Sequence, residues 1–166
     1  MRTIWLLAIA SVCLVSPGVA PAEAQVELDR IVARVGARVV TQSDVSQARR
    51  LKLVDDTSSD AAVQRGLEDR LLTLDEVSRA APLAPGSEGD LAARRANWER
   101  SLGGEAAARA LLEKSAMNDA ALVAWFRDDL RIQAYLRRQF SAVPESERAK
   151  ATADWLARLR QRAGLK

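Results

Sequence analysis

Val63-Gln64-Arg65-Gly66-Leu67-Glu68-Asp69-Arg70-Leu71-Leu72-Thr73-Leu74-Asp75-Glu76-Val77 is the stretch whose spacing decides the fold class. Val63, Leu67, Leu71, Leu74 and Val77, continued by Ala81, recur at steps of three and four residues. That spacing puts them on one face of an α-helix, whereas a strand would alternate in twos. The helical period here is the clearest in the chain. Before it, Asp55-Asp56-Thr57-Ser58-Ser59-Asp60 is polar and rich in capping residues, so it reads as a loop feeding the helix. After it, Pro82, Pro85 and Gly86 stop the helix.

Toward the C-terminus the same punctuation repeats. Ser87 caps a third helix in which Leu91, Trp98 and Leu102 share a face, and Gly103-Gly104 breaks the chain again. A fourth helix is expected over Glu105–Ser115, and Asn118 caps a fifth over Asp119–Phe140. In that longest helix Leu122, Val123, Trp125, Phe126, Leu130, Ile132, Leu136 and Phe140 fill about half the circumference, which suits a central position. Pro144 opens a sixth helix with Trp155, Leu156, Leu159 and Ala163 on one face, and Gly164 ends it.

Toward the N-terminus, Thr41 and Asp44 have the spacing of a capping box, predicting a first helix that runs to about Val54. Leu28–Val35 and Arg38–Thr41 are rich in β-branched residues and flank Gly36-Ala37. This reads as a β-hairpin, with Gly36 supplying a positive φ at the first central position of the turn; the competing reading is one strand running straight on. The fold class is therefore mainly α: an N-terminal hairpin and about six helices packed as one domain, with the fifth helix at the centre. Ile31, Val35 and Val39 are expected to pack on the closing helix near Trp155 and Leu159. Arg30, Arg34 and Arg38 blunt an edge that stays available to a second copy or to an extended polypeptide.

Residues 1–24 have the design of an export signal. Arg2 is basic, Ile4 to Val15 is almost uninterrupted apolar, and Ala22-Glu23-Ala24 is an A-x-A cleavage site. The apolar run is about a dozen residues, short of the ~20 that span a bilayer, so no permanent membrane anchor is expected. Cys13 leaves with the signal. The domain of residues 25–166 then has no thiol, so its stability rests on packing, which suits the periplasm. The whole chain carries a net charge of +3, and residues 127–166 hold ten basic side chains against five acidic. That is a solvated arginine-rich surface or a surface for phosphate or lipid headgroups.

The sequence has no histidine, which excludes the commonest general base, histidine triads and histidine metal sites. No glycine-rich phosphate loop is present. Neither catalysis nor a cofactor nor a metal is expected. Asp129 and Gln133 point into the apolar arc of the fifth helix. A catalytic carboxylate perturbed by burial would explain Asp129, but a buried ion pair or amide hydrogen bond needs less coincidence. The aromatics Trp98, Trp125, Phe126, Tyr135, Phe140 and Trp155 all fall on helices and read as core, with Trp125, Phe126 and Leu130 buried. Tyr135 lies off the main arc, so it packs on a second element or faces a peptide-binding crevice. Trp98 and Trp155 are the other candidates for such a crevice.

The run Asp29-Arg30-Ile31-Val32-Ala33-Arg34-Val35-Gly36-Ala37-Arg38-Val39-Val40-Thr41-Gln42-Ser43-Asp44-Val45 resembles the opening of the SurA N-terminal domain, the chaperone part of a periplasmic folding factor. Leu67-Glu68-Asp69-Arg70-Leu71-Leu72 resembles that family's second helix. The segment from Trp125 to Leu136 resembles its long helix, and Trp155 to Ala163 its closing helix. The resemblance implies binding of unfolded, aromatic-rich outer-membrane polypeptides in a crevice of the helical module. Many members also carry a parvulin-type prolyl isomerase domain, which Ser141 to Ala149 leaves no room for and which would need histidines. A short strand follows the closing helix in the family, whereas Gly164-Leu165-Lys166 leaves almost none, so the hairpin is expected to lack that partner strand.

The expected function is that of a periplasmic, ATP-independent chaperone-like protein that binds unfolded outer-membrane or other envelope polypeptides. The alternative is a non-catalytic scaffold or subunit binding one folded envelope partner. Homo-oligomerisation through the hairpin edge is the other partner reading, and no nucleic-acid partner is expected.

Overall fold

The computed structural model describes residues 29–80 and 86–165. The expected export signal, Leu28, Ala81, Pro82, Pro85 and Lys166 lie outside the described residues. In chain order the elements are β1 (Ile31–Val35), β2 (Arg38–Thr41), α1 (Gln42–Arg50), α2 (Asp60–Arg79), α3 (Glu88–Ser101), α4 (Glu105–Glu113), α5 (Asp119–Gln139) and α6 (Glu145–Arg162). The fold is mainly α, with six helices after one antiparallel hairpin.

Most helix starts follow from a side chain that satisfies an orphan backbone N–H. Thr41 ends β2 and also caps α1: its hydroxyl accepts from the Asp44 N–H, while the Asp44 carboxylate accepts from the Thr41 N–H at 2.9 Å. Ser87 and Asp90 form a second capping box at α3. Ser59 and Asn118 cap α2 and α5 by accepting from Ala62 and Ala121. Each cap is worth about 1 kcal/mol.

α1 stops at Arg50, short of the expected Val54. Lys52 takes a left-handed φ of 47°, and Leu53 N–H donates to the Ala48 carbonyl at 2.9 Å while Lys52 N–H donates to Arg49 at 3.2 Å. This is a Schellman closure with lysine where glycine is usual. The left-handed residue costs roughly 1–2 kcal/mol. In return the chain reverses so that Leu51 and Leu53, on either side of it, are both buried. α4 likewise ends at Glu113, before the expected Ser115.

The core has two parts. Val40, Val45, Leu51, Val63, Trp98 and Phe126 belong to the first, and Val35, Leu72, Val77, Tyr135, Trp155 and Leu159 to the second. α2 serves both, with Leu71 touching each cluster. α5 also spans both, through Leu122 and Phe126 at one end and Tyr135 and the Phe140 cap at the other. Trp98 meets Phe126 edge-on at 5.7 Å between centroids, and its indole N–H donates to the Leu51 carbonyl at 2.7 Å. Of the three residues expected to be buried on α5, only Phe126 is; Trp125 and Leu130 are half-buried. Gly86 lies so close to Leu130 that a Cβ there would meet its Cδ1 at 2.6 Å.

Ion pairs lock the helices around α2. Arg160 of α6 donates to Asp69 and Glu68, both at 2.8 Å, and Arg38 of β2 meets Asp75 at 3.1 Å. Burial works against charge on Arg160, and the hydrogen bonds it donates to Asp69 and Glu68, with the attraction of their charges, together more than offset it, raising its pKa.

Phe126→Ala is expected to cost about 3–5 kcal/mol, the usual range for truncating a buried aromatic. Urea unfolding followed by circular dichroism measures it, and a loss below about 1 kcal/mol would place Phe126 outside the core.

Candidate functional site

The hairpin turn has φ +59° at Gly36 and a negative φ at Ala37, the type II′ pattern. A two-residue turn closes on a hydrogen-bonded pair, here Val35 and Arg38, so the next pair, Arg34 and Val39, is non-hydrogen-bonded. Their N–H and C=O groups therefore point outward along the two sheet edges. Neither group of Val39 has a hydrogen-bond partner among the described residues.

Between Ile31 and Ala33 the register slips by one residue in a β-bulge. A one-residue slip moves a side chain to the opposite face. Without it Ile31 would share the inward face of Ala33 and Val40; with it Ile31 pairs with Thr41 and turns outward beside Arg34 and Val39. Ile31 is 52% exposed and Val39 41% exposed. This corrects the expectation that Ile31, Val35 and Val39 together pack on the closing helix. Only Val35 joins the buried cluster that holds Trp155 and Leu159.

Beside β2 the surface dips into an apolar recess of about 210 Å³, lined by Val39, Val40, Leu71, Met117 and Trp125 among others. No residue of β1 lines it, so it lies on the β2 side of the sheet, level with the unpaired edge. Arg70, itself part of the lining, holds the Trp125 wall in place. The Arg70 guanidinium stacks on the Trp125 ring at 3.7 Å, donates to the Trp125 carbonyl at 2.9 Å and pairs with Asp129. Asp129 also accepts from Arg94 Nε and Nη2 at 3.0 and 2.7 Å. Burial pushes the Arg70 pKa below the usual arginine value, against the pull of Asp129 and Asp128. The Trp125 indole N–H is buried and has no acceptor among the described residues.

Two larger hollows have mixed linings in which charged side chains stand among apolar ones. One of about 790 Å³ lies among α2, α5 and α6 and carries Arg70, Arg94 and Asp129, already committed to one another. The other, of about 670 Å³, surrounds Ser43, Ser46 and Arg50, where Asp29 already bonds Ser43. Hydrogen bonds from Ser43 and Thr41 hold the Asp29 carboxyl below its usual range. Several basic side chains of the last two helices are paired on the surface, among them Arg131 with Asp128 and Lys150 with Asp154. Among the described residues no three acidic, histidine or cysteine side chains converge as a metal cage, and no helix is long and apolar enough to cross a membrane.

Asp129 sits in an ion-pair cluster, the plainer of its two readings, while Gln133 is exposed and does not point inward with it. Trp98, Tyr135 and Trp155 are all buried. Trp98 packs in the first cluster, and Tyr135 meets Trp155 at a tilt in the second, with 5.9 Å between centroids. All three pack in the interior, each against another aromatic ring. The recess instead uses Val39, Leu71 and Trp125, each read from sequence as a packing residue, and Met117, to which the sequence reading gave no role. No protein-family model, curated protein or solved structure matches the chain.

Removing Asp129 alone leaves Arg70, only 10% exposed, without its nearest carboxylate. Asp129→Ala is expected to cost about 3–5 kcal/mol in urea unfolding, and the double change Arg70→Met with Asp129→Leu to recover most of that. A single-variant cost below about 1 kcal/mol would show that the pair does not hold Trp125 in place.

Proposed function

We propose that the chain acts after export as an ATP-independent, chaperone-like holder of unfolded envelope polypeptides, outer-membrane proteins among them. One observation carries the reading: the unpaired edge of β2 at Val39 lies beside an apolar recess on the inner side of the sheet. A third strand added there would hydrogen-bond to the free edge, and its alternate side chains would enter the recess. Main-chain pairing is indifferent to sequence, and a recess of this size takes any apolar side chain of moderate bulk. Such a site suits many unfolded clients better than one folded partner. The export signal at residues 1–24, the resemblance to the SurA N-terminal domain and the lack of histidine point the same way.

Mixing the protein with a denatured outer-membrane β-barrel protein on dilution from urea tests the proposal. Aggregation is expected to fall near equimolar ratio without ATP. Val39→Asp, at an exposed position, is expected to keep the helical circular dichroism spectrum and lose most of the suppression. Full activity in Val39→Asp would contradict the site, and no suppression by the unaltered protein would leave the dedicated-subunit reading in its place.

A further inference from the structure

The outer face of the hairpin carries one feature that a general apolar holder does not need. Arg34 stands directly opposite Val39 in the non-hydrogen-bonded pair, the closer of the two pair types, so its stem lies alongside the Val39 side chain. It is exposed, and it has no ion-pair or hydrogen-bond partner among the described residues. The other two hairpin arginines are occupied. Arg38 pairs with Asp75, and Arg30 donates to Gln42 at 2.9 Å. Between Asp29 and Asp44 the chain has three arginines and no acidic residue. The outer face thus presents Ile31, Val39 and one uncommitted guanidinium.

From this charge pattern we infer that the β2 edge selects extended polypeptides that alternate apolar with acidic side chains, and that Arg34 sets the preference. The inference rests on the reading of the edge as a polypeptide site. A strand bound at β2 lies roughly 10 Å from β1, two strand spacings, across which an arginine and a glutamate side chain meet. Its residue level with Val39 points to the outer face, toward Arg34. Its neighbours on either side point inward, over Leu71 and Trp125, where the guanidinium in the lining, Arg70, is already paired with Asp129, so an acid would be desolvated without a free partner and an apolar side chain would not. One strand therefore meets two demands: apolar inward, acidic outward.

Labelled short peptides of alternating valine and threonine, with a central glutamate in one and a central lysine in the other, supply the test by fluorescence anisotropy. The protein is expected to bind the glutamate peptide about threefold more tightly than the lysine peptide at low salt, the scale of one exposed ion pair. The preference should fade as salt rises. Arg34→Glu should reverse it and Arg34→Ser abolish it. Arg158→Glu, the same charge change on the exposed side of α6, should leave it intact. An unchanged ratio in Arg34→Glu, or an equal reversal in Arg158→Glu, would overturn the inference while leaving the holding function standing. Failure of the unaltered protein to bind either peptide would overturn both.

Discussion

A guanidinium that is nearly out of reach of water has to be paired, and Arg70 imposes that constraint on the centre of this molecule. It sits on α2 between two core clusters, with Asp129 on one side and the face of Trp125 on the other. Asp129 lies on α5 one turn beyond Trp125, so pairing it fixes the register of α5 against α2. Arg94 reaches the same carboxylate from α3 and also lies over the Phe126 ring at 4.9 Å. Three helices are thereby indexed to one carboxylate. The geometry of the apolar recess follows, because Trp125 is one of its walls.

The neighbouring residues of α2 repeat the arrangement toward the opposite side. Glu68 and Asp69 take Arg160 from α6, and Asp75 takes Arg38 from the hairpin. A two-stranded sheet is marginal by itself, and here its inner face borrows stability from α2 through Val35 and Val40. What remains unsatisfied is the outer half of the hairpin, where the bulge sends Ile31 to the surface and the Val39 backbone groups point away from β1. Bulges at sheet edges commonly re-aim a side chain where an edge is to be used or ended.

Much of the architecture was legible in the sequence for identifiable reasons. Capping side chains at Thr41, Ser87 and Asn118 each announced a helix start, the cap-rich run Asp55–Asp60 announced another without singling out Ser59, and the stripe from Val63 to Val77 announced the helix that serves both clusters. Gly36 announced the turn. The early end of α1 was hidden because Lys52 occupies a left-handed position that sequence rules reserve for glycine or asparagine. The destination of Ile31 was hidden for a related reason: a bulge has no residue signature in Ile31-Val32-Ala33, yet it inverts the face on which Ile31 stands.

The candidate site was less legible than the fold because it is made of what packing leaves over. Tyr135, Trp98 and Trp155 drew attention as large aromatics, but large aromatics repay burial most, and each found a ring partner inside. Medium-sized Val39 and Met117, with the half-buried Trp125, border the opening instead. Amide hydrogen exchange at Val39 tests this account most directly. In the protein alone Val39 N–H, pointing away from β1, should exchange quickly while Val40 N–H, within the ladder, exchanges slowly; adding a denatured outer-membrane β-barrel protein should slow Val39. Rapid exchange throughout residues 31–41, or a Val39 rate unchanged by saturating polypeptide, would contradict it.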